Sequence, residues 1–334
     1  MRFDVITIGT GTKDIYLGSP SFKVLHDPKH LRRLGFKQGE AECFALGSKL
    51  EVETFVSSIG GGAVNTAVTF SRQGLKTGAV IRIGRDSAGE EILKELKKEQ
   101  VKPIPIFDRK NKTGYSTLLL TGEGERTVLV YRGASHGLTL KEFPRDSLSS
   151  RWAYIVPGTI DYRVMVEIIS ILKKKKIRIA MNPSRSYVNL NEKKANIILS
   201  ALDVVIVNRE EASDMTRIPY RDVKEIVKKF DKLIPGIAVM TDGPRGVYVS
   251  DGKCMWSAGV FNQKVVDRTG AGDAFGSGFV SALIRGEHIP ECIRVGTANA
   301  TSVVEHIGTE RGILKKSDMS SKKWKGLRIR SEKL

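Results

Sequence analysis

Short apolar runs recur along the chain: Val5 to Ile8, Ala79 to Ile83, Ala153 to Val156, Ile177 to Met181, Val204 to Val207 and Ile237 to Met240. Runs this short and this uniformly apolar suit strands buried on both faces, and the stretches between several of them repeat apolar residues at helical spacing. Val164, Met165, Ile168, Ile169 and Leu172 are one such stripe; Ala274, Phe275, Gly278, Phe279, Ala282 and Leu283 are another. Strand and helix in alternation predict an α/β fold, a mostly parallel sheet flanked by helices. Polar residues close several runs, Asn182, Asn208 and Thr241 among them. Ligands of open α/β sheets bind beyond the carboxyl ends of the strands, so these positions are expected to converge on one cleft.

Two segments break the alternation. Residues 14–58 carry a helical stretch at Leu31 to Leu34 and an extended one from Cys43 to Val56. Residues 103–132 contain Thr117 to Leu120 and Thr127 to Tyr131 around Thr121-Gly122-Glu123-Gly124-Glu125-Arg126, as a hairpin would. Together they predict a small β-sheet lid over a catalytic domain made of residues 1–13, 59–102 and 133–334. A projecting sheet leaves free edges, so a homodimer through the lid is expected. The basic tail from Lys315 onward reads as a loosely held helix or partly disordered chain.

With 334 residues, 40% of them hydrophobic, the chain can bury a large core without staples. Cys43, Cys254 and Cys292 are too few and too scattered for a disulfide framework or a zinc site, which suits a reducing cytosol, and all three read as packing residues. No export signal opens the sequence and no apolar run approaches the roughly 20 residues of a membrane span, so a cytoplasmic protein with no membrane partner is expected. The formal charge of +18 raises nucleic acid as a partner. Much of the excess lies in Lys173 to Lys176, at the end of a helical stripe, and in the tail, with no interleaved aromatics; specific nucleic-acid recognition is not expected.

The most informative stretch is Val265-Val266-Asp267-Arg268-Thr269-Gly270-Ala271-Gly272-Asp273. It reads as an apolar strand that breaks into Gly270, Ala271 and Gly272 and then enters a helix, so that free first-turn amides form an anion hole. Asp273 sits among those amides, which favour its ionised form, and can accept a proton from a substrate hydroxyl. Anion hole and base together suit phosphoryl transfer to an alcohol. Gly60-Gly61-Gly62-Ala63-Val64-Asn65 offers close backbone approach and an amide for sugar hydroxyls. Asp14, after the first run, can hold a diol; in Gly9-Thr10-Gly11-Thr12-Lys13-Asp14 it replaces the third glycine of a dinucleotide fingerprint. Glu211, after Asn208, can organise the water shell of Mg²⁺ or simply begin a helix. Thr241-Asp242-Gly243-Pro244-Arg245-Gly246 is either a plain turn or a nucleotide-facing loop. A P-loop, a Gly-x-Ser-x-Gly elbow and histidines at metal-ligand spacing are all missing from the sequence.

Taken in order, Asp14, Gly60-Gly61 with Asn65, Ile83-Gly84-Arg85-Asp86 with Gly89, Asn208 with Glu211, Gly243 with Gly246, and Asp267 to Asp273 resemble the ribokinase (PfkB) family of carbohydrate and nucleoside kinases over nearly the whole chain. The resemblance implies a ribokinase-like, Rossmann-like α/β domain with a β-sheet lid, ATP as donor, Mg²⁺, and often a monovalent cation. It makes Asp273 the base and the amides of Gly270, Ala271, Gly272 and Asp273 the anion hole. Asp14, Gly60, Gly61 and Asn65 would hold the acceptor. Asn208, Thr241, Gly243, Gly246 and Asn299 would meet the nucleotide, Glu211 would hold Mg²⁺ through water, and Asp267 and Thr269 would bind K⁺. Ribokinases carry lysine where Gly62 stands and a glutamate near Val156-Pro157-Gly158, so a sugar or sugar acid other than ribose is expected. Arg268 stands where a smaller residue is common, its charge meeting a phosphate or water. A nucleoside kinase is the alternative, in keeping with the long first lid segment; Tyr16, Phe36, Phe44 and Phe55 there are expected mainly to pack the lid. A sugar or nucleotide sensor is the alternative without catalysis, and it would have no need of Asp273.

Overall fold

The computed structural model describes residues 2–36, 39–121 and 126–333. Its strands are β1 (Phe3–Thr10), β2 (Thr12–Gly18), β3 (Lys23–His26), β4 (Glu40–Cys43), β5 (Thr54–Gly60), β6 (Thr77–Gly84), β7 (Lys102–Asp108), β8 (Gly114–Leu120), β9 (Arg126–Tyr131), β10 (Ser150–Val156), β11 (Arg178–Met181), β12 (Val204–Asn208), β13 (Ile237–Thr241), β14 (Val247–Ser250), β15 (Cys254–Ala258) and β16 (Ile329–Lys333). Its α-helices are α1 (Pro28–Arg33), α2 (Gly62–Arg72), α3 (Ser87–Lys98), α4 (Tyr162–Lys174), α5 (Arg185–Val188), α6 (Glu192–Leu199), α7 (Arg209–Thr216), α8 (Val223–Leu233), α9 (Ala271–Ile284) and α10 (Ile289–Val304).

All six apolar runs are strands of one sheet, in the order β16-β15-β14-β13-β12-β11-β10-β1-β6-β7. It is parallel from β13 to β7 and antiparallel through β14, β15 and β16. Successive side chains of a strand point to opposite faces. Ile6, Ile8, Ala153, Ile155, Val205 and Val207 therefore pack with Met165, Ile168 and Leu172 of α4 and Ile226 and Phe230 of α8. Their neighbours Val5, Trp152, Tyr154, Val204 and Ile206 pack with Phe275, Phe279, Ile293 and Val295 of α9 and α10 on the other face. Helix α9 lies between the sheet, α2 and α10, so it is buried nearly all round, while Leu283, assigned above to its core stripe, is only partly buried.

The lid is a four-stranded sheet in the order β5-β2-β8-β9, beside a β3–β4 ribbon that brackets α1. Strand β9 pairs with β8 as the hairpin reading expects; Gly122 to Glu125, its turn, lie outside the described residues. The boundary at 103 needs correction: β7 pairs with β6 and closes the edge of the large sheet, so the second lid segment begins near Gly114. Pro103 and Pro105 hid this strand, because a strand with no neighbour on one side tolerates residues that cannot donate. Cys43 to Val56 is not one extended run either, since β4 ends at Cys43 and β5 begins at Thr54. Of the four lid aromatics Tyr16 is fully buried and Phe44 meets Phe22 edge-on with ring centroids 5.5 Å apart, while Phe36, Phe44 and Phe55 are 45%, 44% and 66% exposed.

The tail is docked rather than loose. Strand β16 extends the sheet beside β15, and Trp324 is buried edge-on against Phe261 with ring centroids 5.3 Å apart. Arg294 of α10 donates to the Met319 and Trp324 carbonyls, at 3.3 and 3.1 Å. Among the cysteines only Cys292 is a packing residue; Cys43 is exposed and Cys254 half-buried. Among the described residues no helix is long and apolar enough to cross a membrane.

Candidate active site

Val265 and Val266 do not form the strand expected before the glycine motif. Each is 44% exposed, and the N–H groups of Val266 and Asp267 donate to the Val304 carbonyl at the end of α10, which takes the segment away from the sheet. Asp267 then closes a tight turn: its Oδ1 accepts from the Thr269 N–H at 2.9 Å and hydroxyl at 2.6 Å, and its Oδ2 from the Gly308 N–H at 3.4 Å. Asp267 is buried and no lysine or arginine pairs with it among the described residues. Gly270 caps α9 with φ of 79°, a left-handed conformation, and a Cβ there would lie 2.7 Å from Thr309 Cγ2. From this cap the first turn of α9, Ala271 to Asp273, presents amides that have no helical acceptor.

Asp273 is half-buried, and Asn65 Nδ2 donates to its Oδ2 at 3.0 Å. Thr309 donates to Asn65 Oδ1 at 2.9 Å, which fixes the orientation of the amide and aims its N–H at Asp273. Burial pushes the Asp273 carboxyl up to about 6; the Asn65 bond opposes this and the charge of Asp14 adds to it. The first-turn amides act in the opposite sense to burial, favouring the ionised form. A carboxyl titrating near 6 is still about nine-tenths ionised at pH 7, so it can serve as a base.

Asp14 projects from β2, between Ser58 of β5 and Ser116 of β8 in the lid register. Thr12 donates to its Oδ1 at 2.9 Å, and burial raises its pKa despite that bond and one from Ser116. Gly60 serves this carboxylate directly, since a Cβ at position 60 would fall 1.9 Å from Asp14 Oδ2. Gly61 is the cap that starts α2 and so delivers Asn65 one turn on.

A cavity of about 340 Å³ opens beside the α9 terminus. Ala271 and Gly272, with Asn208, Thr241, Gly243 and Gly246, line it at the ends of β12 and β13, and the remaining wall includes Val247, Val260, Val265, Ala300 and Val304. The 241–246 segment is a turn between β13 and β14 whose Thr241, Gly243, Pro244 and Gly246 also line the cavity. Asn299 is not part of that wall. It is fully buried, with its Nδ2 donating to the Ala274 carbonyl at 2.8 Å and its Oδ1 accepting from the Leu314 N–H at 2.9 Å. The face of α10 that meets the cavity carries Thr297, Ala300, Thr301 and Val304, and Asn299 is off that helical phase.

Asn208 and Glu211 form a capping box on α7: Asn208 Oδ1 accepts from the Glu211 N–H at 2.9 Å, and Glu211 Oε2 accepts from the Asn208 N–H at 2.8 Å. Both readings of Glu211 thus remain compatible, because one carboxylate oxygen is committed to the cap and Oε1 has no hydrogen bond among the described residues. Burial raises the Glu211 pKa. Among the described residues no three His, Cys, Asp or Glu side chains gather as a metal cage. A single carboxylate is the kind of protein ligand that suits Mg²⁺, which keeps several waters rather than taking a full cage of side chains.

Thr309 and Tyr154 escaped the sequence reading. Thr309 orients Asn65 and Tyr154 packs beneath α9, and neither belongs to a pattern of spacing that would have singled it out.

The chain matches the description "pfkB family carbohydrate kinase" over residues 36–316. A cytidine kinase of Thermococcus kodakarensis is 26% identical over 76% of this chain and 90% of its own length. A ribokinase of Haemophilus influenzae is 27% identical over 80% of this chain and 88% of its own. A probable sugar kinase of Rhizobium etli shares the fold with a TM-score of 0.77 at 21% identity, across 96% of this chain and 98% of that one. The strand order, the lid and the family match agree: this chain belongs to the PfkB family of carbohydrate kinases, phosphotransferases with an alcohol group as acceptor.

Proposed function

We propose that the protein transfers the terminal phosphoryl group of ATP to a hydroxyl of a free sugar or sugar acid, with Asp273 as general base. The observation that carries this reading is the Asn65–Asp273 bond, which holds a carboxylate of pKa about 6 in the first turn of α9, beside the cavity. In this scheme the acceptor lies between Asp14 and Asp273, with Gly60 and Gly61 shaping the near wall and Asp14 accepting from its other hydroxyls. Asp273 takes the proton of the reacting hydroxyl, whose oxygen bonds to the terminal phosphorus as the bond to ADP breaks. The amides of Gly270 to Asp273 stabilise charge on the transferring group. Asn208, Thr241, Gly243 and Gly246 flank the nucleotide. Glu211, with its uncommitted oxygen, would hold Mg²⁺ through water, and the ion would shield charge on the phosphate oxygens. Buried Asp267, with Thr269, would hold K⁺, a cation that balances a carboxylate lacking a basic partner.

A nucleoside acceptor is the second reading. It is favoured by the cytidine kinase relative and by Phe36, Phe44 and Phe55, which the lid leaves exposed. ADP release measured over a panel of sugars, sugar acids and nucleosides separates the two. Turnover with sugars or sugar acids is the expected result; turnover with nucleosides alone would replace the first reading with the second. Binding without turnover across the whole panel would leave a sensor.

Lid pairing into a homodimer belongs to the same proposal. Strand β9 forms a sheet edge and is exposed along its whole length, with Val128, Leu129, Val130 and Tyr131 between 43% and 56% exposed. Sedimentation at micromolar concentration should give a dimer, and Leu129→Lys should shift it to monomer. A monomeric parent would remove this part of the proposal.

A further inference from the structure

We propose that Arg268 grips the phosphate tail of the donor and is the principal source of affinity for its β- and γ-phosphates. The inference rests on the cavity beside α9 being the donor site.

Among the described residues that line that cavity, Arg268 is the one with a charged side chain. The rest are aliphatic, aromatic, glycine, proline or neutral polar. A nucleoside triphosphate carries several negative charges, and the sequence offers no P-loop lysine to meet them. Backbone amides at the α9 terminus supply partial charge, whereas a guanidinium supplies a full one with several donors in a planar fork suited to phosphate oxygens.

Arg268 is also uncommitted. Its side chain is exposed and makes no hydrogen bond, ion pair or aromatic contact among the described residues, whereas Arg72, Arg82, Arg209, Arg245 and Arg294 are each tied to a carboxylate. The backbone around it is held firmly all the same. The Asp267 turn fixes one side and the Gly270 cap the other, and the Arg268 carbonyl accepts from the Ala271 N–H at 3.4 Å. A free guanidinium on an anchored backbone, two residues before the anion hole, stands where phosphates must pass for the terminal one to reach Asp273.

The cavity lining is of two kinds. Val247 and Val260 offer an apolar surface for a heterocycle, Val265 and Val304 lie beside Arg268, where the Val304 carbonyl accepts from the Asp267 N–H at 3.2 Å, and Ala271, Gly272 and Arg268 offer the anion-binding part. Gly272 has no atom within 4 Å of where a Cβ would stand, so room remains beside the amides. With the heterocycle on Val247 and Val260, as the inference requires, the α-phosphate is the phosphate farthest from Arg268.

Calorimetric titration of Arg268→Gln and Arg268→Lys with ADP, ATP and AMP tests this. Because the side chain touches nothing else, both variants should melt at the parental temperature. Arg268→Gln should weaken ADP and ATP by about tenfold to a hundredfold, the scale of a lost charge-assisted contact. AMP should change by less than about twofold. Arg268→Lys should recover part of the loss, since charge returns without the fork. An ADP affinity in Arg268→Gln within about twofold of the parent would overturn the inference. Equal weakening of AMP and ADP would also overturn it, by placing Arg268 on the nucleoside. A parent protein that binds neither ADP nor ATP would instead defeat the donor-site reading itself.

Discussion

Asp273→Asn is expected to lower kcat by about a thousandfold while leaving nucleotide binding intact, because it removes the proton acceptor and keeps the shape. The amide remains within reach of Asn65, so the wall of the site is preserved. In the parent enzyme, kcat/KM should fall with unit slope as the pH drops through about 6, where burial has moved this carboxyl, rather than near its ordinary value of 3.8. Stability should move in the opposite direction. A carboxyl that titrates at 3.8 unfolded and about 6 folded is harder to ionise in the native state, so folding loses stability as the pH rises across that interval and stays lower above it. Asparagine carries no such burden, and the variant should melt above the parent at pH 7 and level with it below pH 4. A variant that keeps full turnover would sink the mechanism. One that loses turnover yet melts lower would show that the Asp273 charge is well accommodated, against the shift assigned to it.

The elements legible in the sequence are those fixed by local chemistry. Val204 to Val207 and its counterparts read as strands because both faces are covered, so no polar residue interrupts the run. Strand β15 was not read because its side chains are mostly half-buried and include Cys254 and Ser257. The docking of the tail depends on Phe261 meeting Trp324, a contact without local signature. The site divides in the same way. Gly270 to Asp273 are contiguous and announce an anion hole, and Asn208 with Glu211 shows the spacing of a capping box. The bond that holds the Asp273 carboxylate joins residues 208 apart, and the Thr309 contact that orients Asn65 joins residues 244 apart. Asn299 lies off the cavity because residues along α10 alternate between the α9 face and the cavity face, and the phase of a helix is set by what it packs against.

Alanine at Gly276 should damage the enzyme through one oxygen atom. Gly276 lies three residues beyond Asp273 on α9, and a Cβ there would stand 2.2 Å from Tyr154 Oη, whereas the next atoms, Tyr154 Cζ at 3.5 Å and Ile206 Cγ2 at 3.6 Å, are at ordinary contact distance. Tyr154 cannot swing aside, since it is fully buried in β10 and packs edge-on against Phe70 with ring centroids 5.3 Å apart. Gly276→Ala should therefore cost about 1–3 kcal/mol and displace the start of α9, lowering kcat by misplacing the base. The Tyr154 hydroxyl makes no hydrogen bond among the described residues, so Tyr154→Phe alone should cost nothing and can stabilise. Combining the two removes the obstacle. The double variant should recover both melting temperature and turnover, and should exceed Tyr154→Phe in stability by up to about 1 kcal/mol, the advantage of alanine over glycine inside a helix. Thermal melts and initial rates on the four proteins of this cycle measure the coupling. Additive losses, with no rescue by phenylalanine, would mean that the space beneath the catalytic helix is set by the backbone of α9 rather than by the tyrosine hydroxyl.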